Sequence, residues 1–122
     1  MPEGLGARGE RLAAEHLTRL GYRVVARNWR AVPSRDGLRG ELDVVAEHDG
    51  WIVAVEVKTR SSTRYGHPLE SITPEKTARL HRLAAAWARA HRRDPRVIRV
   101  DAVAITFAHD GAIRVEVLRQ VH

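Results

Sequence analysis

The stretch GELDVVAEHDGWIVAVEVKTR, residues 40–60, decides the fold of this chain. It contains two apolar runs, residues 42–46 and 52–57, on either side of Asp49-Gly50. Asp-Gly is a preferred pair for the two-residue turn that joins antiparallel strands. The stretch therefore predicts a β-hairpin with its turn at Asp49-Gly50.

The turn fixes which residues of the hairpin lie opposite each other. With Asp49 and Gly50 at the centre, Asp43 faces Glu56 and Glu41 faces Lys58, and strand alternation puts all four side chains on one face. Opposed Cβ atoms are about 4.5–5.5 Å apart, and like charges there are destabilising. A pair of carboxylates with open water positions is a ligand set that Mg²⁺ or Mn²⁺ prefers when it also binds phosphate.

A simpler interpretation of the same residues stays open at this point. Glu41 and Lys58 can form a cross-strand ion pair while Asp43 and Glu56 are merely exposed. Against it, the apolar residues Ile52 and Ala54 precede Glu56 and Lys58 on the same face. The face therefore turns polar only near the end of the strand, which is typical of a site at the rim of a core.

Flanking segments predict helices and further strands around the hairpin. Apolar spacing predicts helices over residues 5–20 and 74–92, the second with Thr73 as N-cap and Pro74 in the first turn. The buried stripe predicted for the second helix ends at His91. Residues 22–28 predict a strand, and residues 31–39 and 59–73 predict loops. The segments 97–107 and 112–117 flank Asp110-Gly111 and predict a second hairpin.

Composition bounds the class of protein. The 122 residues, 13.7 kDa in mass, are enough for a single domain over residues 1–122. The absence of cysteine excludes disulfide scaffolds, thiolate zinc sites, iron–sulfur clusters and cysteine nucleophiles. The N-terminus lacks the pattern of a signal peptide, and no apolar run approaches the roughly 20 residues of a membrane span. We expect a soluble, cytoplasmic protein with no membrane partner.

The positive charge is concentrated in one segment. Residues 61–100 carry nine basic and three acidic side chains, which equals the whole net charge of +6. In the second helix the predicted outer face carries Arg79, Arg82 and Arg89, followed by Arg93. A localised basic surface attracts polyanions, most often nucleic acid, although a solvated helix face is the simpler alternative.

Common motifs elsewhere do not point to a site. Gly4, Gly6 and Gly9 match the dinucleotide-binding pattern G-x-G-x-x-G, but that pattern needs a preceding strand, and only three residues precede it. None of the seven histidines shows the spacing of a metal motif. Glu10 lies at the border of the apolar stripe of the first helix, where an acid favoured by the helix dipole is the simpler interpretation.

Several motifs together carry a resemblance to known proteins. Asp43 followed by Glu56-Val57-Lys58 resembles the D…E-x-K signature of the PD-(D/E)XK nuclease superfamily. Five further segments make the chain similar to the YraN-like family of small bacterial proteins over nearly its whole length: Gly9-Glu10, residues 27–30, residues 55–60, residues 65–68 with Lys76, and residues 101–105. The loop over residues 31–39 is longer than the usual link in that family.

The resemblance implies a fold and a chemistry. It implies an α/β protein of the restriction-endonuclease-like fold, with a central mixed sheet of about five strands flanked by helices. The family is largely uncharacterised and is similar to archaeal Holliday-junction resolvases. The implied activity is metal-dependent hydrolysis of DNA phosphodiester bonds, with branched or damaged DNA as substrate and a homodimer as the cutting unit.

Site roles follow from the same resemblance. Asp43, Glu56 and the backbone carbonyl of Val57 would hold Mg²⁺ or Mn²⁺, with Glu10 in support. Lys58 would orient the attacking water or stabilise the developing charge. The residues that would bind the nucleic-acid backbone are Arg60, Arg64, Lys76, Arg79 and Arg82. Two alternatives remain: a catalytically inactive nucleic-acid-binding module, and a protein-interaction subunit that uses the arginine-rich helix.

Overall fold

The apolar runs form one five-stranded sheet in the computed structural model, which describes residues 3–61 and 67–120. The strands are β1 Arg23–Arg30, β2 Glu41–His48, β3 Trp51–Arg60, β4 Ile98–Phe107 and β5 Ile113–Leu118. They lie side by side in chain order; β3 and β4 are parallel, and every other neighbouring pair is antiparallel. The predicted mixed sheet of about five strands is confirmed.

Helices connect the strands and cover the sheet. They are α1 Leu5–Arg19, α2 Pro33–Asp36 and α3 Pro74–Ala90, with a 3-10 turn at Pro68–Ser71. The Thr73 hydroxyl accepts a hydrogen bond from the Lys76 backbone N–H at 3.2 Å, so the predicted N-cap of α3 is confirmed. No helix in the described part of the chain is long and apolar enough to cross a membrane.

Three local predictions were wrong. The segment 59–73 is not all loop, because β3 continues to Arg60 and Pro68–Ser71 forms a 3-10 turn. The segment 31–39 is not all loop, because Pro33 suits a first helical turn and the Asp36 carboxylate accepts the Val32 backbone N–H at 2.7 Å, giving the one-turn helix α2. Gly37, with φ of 75°, ends that turn. His91 is exposed instead of buried. The helix α3 ends at Ala90, and the His91 imidazole stacks on the ring of Trp87.

The sheet separates two apolar cores. On one face α3 packs through Leu80, Leu83 and Trp87 onto residues of β2, β3 and β4. On the other face α1 packs through Ala13 and Leu17 onto a second set that includes the three valines at alternate positions of β3, Val53, Val55 and Val57. Both faces of the central strands are therefore buried, as expected where helices cover a sheet on both sides.

The hairpin has the predicted register. Asp49 and Gly50 both have positive φ, 50° and 81°, as a tight two-residue turn of this hand requires. Pairing then runs from His48 opposite Trp51 to Val44 opposite Val55. The next opposed positions are Asp43 and Glu56, where the ladder of the two strands ends. The second predicted hairpin is also confirmed by the antiparallel pairing of β4 with β5.

The alternation of side chains along β2 is interrupted at Asp43. Leu42 and Val45 both pack into the α3-side core, although strict alternation would put them on opposite faces, and Val44 packs into the α1-side core. In the neighbouring strand β1, Asn28 lies between the partners of Val44 and Leu42 and has a φ of 53°. Asp43 therefore lies at the position of β2 where the residues on either side of it, Leu42 and Val44, pack into opposite cores.

Gly9 allows α1 to approach β3 closely. A Cβ atom at Gly9 would overlap the hydroxyl oxygen of Thr59, whereas a Cβ at Gly6 of the same helix would meet nothing within 4 Å. Gly9 is therefore a packing residue of α1. The close approach of α1 to β3 brings the neighbouring Glu10 toward the open end of the hairpin.

Substituting these two glycines should have opposite effects on stability. We expect Gly9→Ala to lower the free energy of unfolding by about 1–3 kcal/mol through overpacking. Gly6→Ala should raise it by roughly 0.5–1 kcal/mol, because alanine favours the helix. Urea unfolding followed by circular dichroism measures both changes, and equal stability of the two variants would contradict the packing argument.

Candidate metal centre and catalytic site

Asp43 and Glu56 form a partly buried acidic pair at the open end of the hairpin. The hairpin register places them next to the paired residues Val44 and Val55, and each carboxyl affects the pKa of the other. Asp43 Oδ2 also accepts a hydrogen bond of 2.9 Å from the Val57 backbone N–H. The Glu56 side chain is only 23% exposed. The interpretation that these two carboxylates are merely exposed is therefore wrong.

The surroundings of the pair disfavour two negative charges. Burial raises the pKa of Asp43, although the bond from the Val57 N–H opposes the rise. Burial also raises the pKa of Glu56, and the negative charge of Asp43 raises it further. Two carboxyls this close titrate as a unit. A cation between them would neutralise the charge that burial leaves poorly solvated.

Lys58 and Glu41 flank the pair, but they do not pair with each other. Lys58 Nζ lies 3.5 Å from Glu56 Oε1, and Glu41 Oε2 accepts a bond of 3.1 Å from Arg30 on β1. The predicted alternative of an ion pair between Glu41 and Lys58 is therefore wrong. The competing partner is Arg30, because β1 pairs with β2 and places Arg30 opposite Glu41.

Glu10 approaches the pair from the other face of the sheet. It is half-buried on α1, and burial raises its pKa, with a second contribution from the negative charge of Asp43. Asp43 thus interacts with Glu56 on the α3 side and with Glu10 on the α1 side. The structure thus places Glu10 within electrostatic range of Asp43, but among the described residues the three predicted acids do not form one metal-binding group.

A cavity of about 210 Å³ opens beside the pair, between the hairpin and α3. Its charged lining residues are Glu41, Glu56, Lys58, Lys76 and Arg79, and Ile72 and Leu80 supply its apolar wall. Both lysines of the chain line this one cavity. It therefore combines carboxylates with three cationic side chains next to Asp43.

The donor set fits a hard divalent cation that keeps much of its water. Among residues 3–61 and 67–120 no three acidic or histidine side chains gather into a metal-binding group. Mg²⁺ is commonly bound through one or two carboxylates, waters and substrate phosphates, and does not require a full protein cage. Asp43 and Glu56 supply those two carboxylates, and burial raises the pKa of both.

The predicted nucleic-acid contacts fall into two groups. Lys76 and Arg79 line the cavity, whereas Arg60 and Arg82 are exposed outside it. Arg64 lies outside the described residues. Of the arginines near α3, Arg93 is engaged by Glu47 at 2.8 Å, so it does not belong to an open cationic face.

A second buried polar cluster was given no role from the sequence. The Asp101 side chain, 0% exposed, accepts hydrogen bonds from the Tyr22 hydroxyl at 2.7 Å, from two nitrogens of Arg99 at 2.8 and 2.9 Å, and from the Gln120 backbone N–H at 3.0 Å. His48 stacks on the Tyr22 ring and lies 2.8 Å from Arg99 Nη2. The only sequence signal was an aspartate and an arginine within an apolar strand. The cluster connects the segment between α1 and β1 with β2, β4 and the segment after β5, so we assign it to stability.

The raised pKa values predict how the metal-free protein responds to pH. The folded state binds protons at Asp43 and Glu56 more tightly than the unfolded state, whose carboxyl pKa values are about 4. The stability that this tighter proton binding gives the folded state is therefore fully present below about pH 4. It is lost as pH rises through the pKa values of the folded state. We expect the melting temperature of the Asp43→Asn, Glu56→Gln variant, relative to the parent, to rise with pH from about 4 to 7 in EDTA.

Differential scanning calorimetry across this pH range measures the effect. Glu15→Gln is the matched control, because Glu15 is an exposed carboxylate of α1. A difference between double variant and parent that stays constant with pH would contradict the prediction.

Comparison with known proteins places the chain in a family. The model of the uncharacterised protein family UPF0102 matches residues 9–105. A UPF0102 protein of Clavibacter michiganensis is 46% identical over 119 residues, which cover 96% of this chain and 94% of that protein. A UPF0102 protein of Beutenbergia cavernae is 48% identical over 119 residues, covering 98% and 96%. The resemblance to the YraN-like proteins is thereby confirmed, and the chain belongs to the uncharacterised protein family UPF0102.

Proposed function

We propose that this protein is a metal-dependent nuclease that hydrolyses DNA phosphodiester bonds. The observation that carries the proposal is the partly buried pair of Asp43 and Glu56, with Lys58 at 3.5 Å from Glu56, on the rim of a cationic cavity. Burying two carboxylates side by side costs solvation free energy. A bound cation offsets that cost at a catalytic site, whereas nothing offsets it for carboxylates without a function.

Each residue of the site has a chemical role in this proposal. Asp43 and Glu56, with the backbone carbonyl of Val57, would hold Mg²⁺ or Mn²⁺. When bound, such an ion activates water and neutralises charge on the phosphoryl group. Lys58 donates its N–H bonds to the attacking water or to a non-bridging phosphate oxygen. Glu10, which approaches Asp43 from the opposite face of the sheet, would accept hydrogen bonds from water at the same centre.

The charge of the cavity suits a phosphodiester substrate. With a divalent cation opposite Asp43 and Glu56 that pair is neutralised, and Glu41 is already engaged by Arg30. Three cations of the lining then remain uncompensated, namely Lys58, Lys76 and Arg79. The cavity thus becomes a positive pocket once the acidic pair has its counter-ion, and it would attract phosphate oxygens.

The wider surface favours binding through the nucleic-acid backbone. Arg60 and Arg82 are exposed and would contact phosphates away from the scissile bond. Such contacts supply affinity that falls with salt and little base specificity. Within the proposal the chain is a cytoplasmic member of the PD-(D/E)XK superfamily, acts on branched or damaged DNA, and works as a homodimer when it cuts two strands.

One observation favours a second candidate, a nucleic-acid-binding module without catalysis. The described residues offer no third side chain that would complete a protein-only metal site. A protein of this kind would bind DNA through its arginines, and its affinity would be the same with Mg²⁺ and with EDTA. A protein-interaction subunit, in contrast, would show no DNA binding at physiological salt.

Metal titration and cleavage on the same samples separate these functions. Calorimetry measures Mn²⁺ and Mg²⁺ binding, and single-turnover cleavage is followed on a four-way junction, a fork, a linear duplex and a single strand. The proposal expects metal binding and cleavage of at least one substrate, both abolished by EDTA. DNA binding without cleavage of any substrate would establish the non-catalytic module instead, and absence of DNA binding would leave the interaction subunit.

A further inference from the structure

Arg79 is held in one position at the mouth of the cavity. Its Nη2 donates a hydrogen bond to the backbone carbonyl of Arg39, which precedes β2. Among the described residues no acceptor contacts the other guanidinium nitrogens. Arg79 is thus anchored through one nitrogen by the chain, while the remaining N–H donors of its planar fork stay available.

Gly40 makes this anchoring possible. Its φ is 142°, a backbone conformation that residues other than glycine rarely adopt. A Cβ atom there would lie 3.2 Å from Arg79 Nη2 and 2.9 Å from Leu83 Cδ1. The guanidinium therefore rests on the bare backbone immediately before Glu41, the first residue of β2. A Cβ atom at position 40 would therefore require the ends of the Leu83 and Arg79 side chains to shift.

Its position in the cavity distinguishes Arg79 from Arg82, another exposed arginine of α3. Arg79 lines the cavity that also contains Glu56 and Lys58, yet its guanidinium bonds to a neutral carbonyl instead of a carboxylate. Arg82, less than one turn further along α3, is exposed and does not line that cavity. A cation held beside carboxylates without pairing to them is available for an anion that enters the cavity.

We propose that Arg79 binds a phosphodiester oxygen of the DNA within the catalytic cavity, and that Gly40 and the Arg39 carbonyl pre-organise it for this contact. This inference rests on the proposed nuclease function and adds a phosphate-binding catalytic residue to it. A guanidinium can keep one bond to the Arg39 carbonyl while it donates to a phosphate oxygen with another nitrogen. Gly40 acts as a positioning residue, because it touches Arg79 and not the substrate.

The test compares substitutions that separate charge, anchoring and general DNA affinity. Single-turnover cleavage at saturating enzyme, expressed per folded molecule, is measured for Arg79→Ala, Arg79→Lys and Gly40→Ala, and for Arg82→Ala as a comparison at an arginine outside the cavity. We expect Arg79→Ala to lower the rate by about 100-fold, as the loss of a pre-organised donor at a reacting group does. Arg79→Lys should recover only part of it, because an ammonium lacks the fork. Arg82→Ala should weaken DNA binding, and its saturated rate should fall far less than that of Arg79→Ala.

A double-mutant cycle tests the positioning role of Gly40. Gly40→Ala should lower the rate strongly in the parent but produce no further loss in the Arg79→Ala background. A merely structural role would lower the melting temperature in both backgrounds and leave the rate per folded molecule unchanged. If Gly40→Ala does not fold, the comparison of the Arg79 and Arg82 variants decides the inference.

The outcomes distinguish this inference from the proposed function. A parent protein that cleaves DNA while Arg79→Ala and Arg82→Ala lose rate by the same factor overturns the role of Arg79 and leaves the nuclease intact. A parent that cleaves no substrate with either metal overturns both. Selective loss of rate in Arg79→Ala, with its DNA affinity close to that of Arg82→Ala, confirms the phosphate contact.

Discussion

Asp43→Asn is expected to lower the metal-dependent rate of DNA cleavage by on the order of 10³-fold, the equivalent of several kcal/mol of transition-state stabilisation. The reason is that Asp43 accepts the Val57 backbone N–H and interacts electrostatically with both Glu56 and Glu10. Asparagine keeps an oxygen that can accept the Val57 N–H, but it removes the negative charge. The substitution therefore changes the charge of the site and preserves its local hydrogen bond.

Stability measurements separate this effect from misfolding. In EDTA at pH 7 the Asp43→Asn variant should melt at or above the temperature of the parent, because the unfavourable proximity of two buried carboxylates has been relieved. Added Mn²⁺ should raise the melting temperature of the parent and not that of the variant. Glu15→Gln, an exposed substitution on α1, should keep both the rate and the response to Mn²⁺. Full cleavage activity in Asp43→Asn would refute the assignment of the site.

Asp101→Ala is expected to produce the largest loss of stability, about 3–5 kcal/mol in the free energy of unfolding. Asp101 is 0% exposed, and its partner Arg99 has a side chain that is only 7% exposed. Removing the carboxylate leaves the guanidinium buried without a counter-charge and takes away the acceptor of the Tyr22 hydroxyl. Urea unfolding at pH 7 measures the change directly.

Two further variants identify the cause of that loss. Replacing both partners, Arg99→Met with Asp101→Leu, should cost less than Asp101→Ala alone, because no unpaired charge then remains in the interior. Tyr22→Phe keeps the stacking on His48 and removes only the hydroxyl, so it should cost about 1–1.5 kcal/mol. Asp94→Ala, at an exposed ion pair with Arg96, should change stability by less than about 1 kcal/mol. A double variant as unstable as Asp101→Ala would show that packing, not an unpaired charge, causes the loss.

Local chemistry made much of the fold predictable. Asp49-Gly50 accommodates two positive φ values, so the hairpin and its register followed from a dipeptide and the alternation around it. Thr73 and Pro74 likewise determined where α3 begins. The candidate acidic pair could be predicted for the same reason, since a known register specifies the opposed residues. The helix end at His91 and the turn within residues 31–39 were missed because each depends on one or two local hydrogen bonds.

The sequence by itself thus determined the order of the elements, the hairpin register and the pairing of Asp43 with Glu56, because these depend on residues near one another along the chain. Only the tertiary structure decided that Glu41 pairs with Arg30 instead of Lys58, that the charge of Asp43 acts on Glu10, and that Arg79 lies against Gly40. It also brought Tyr22 to Asp101 across 79 positions of sequence. These contacts arise from the packing of separate strands and helices on a shared sheet, and no local periodicity records which distant side chains that packing brings together.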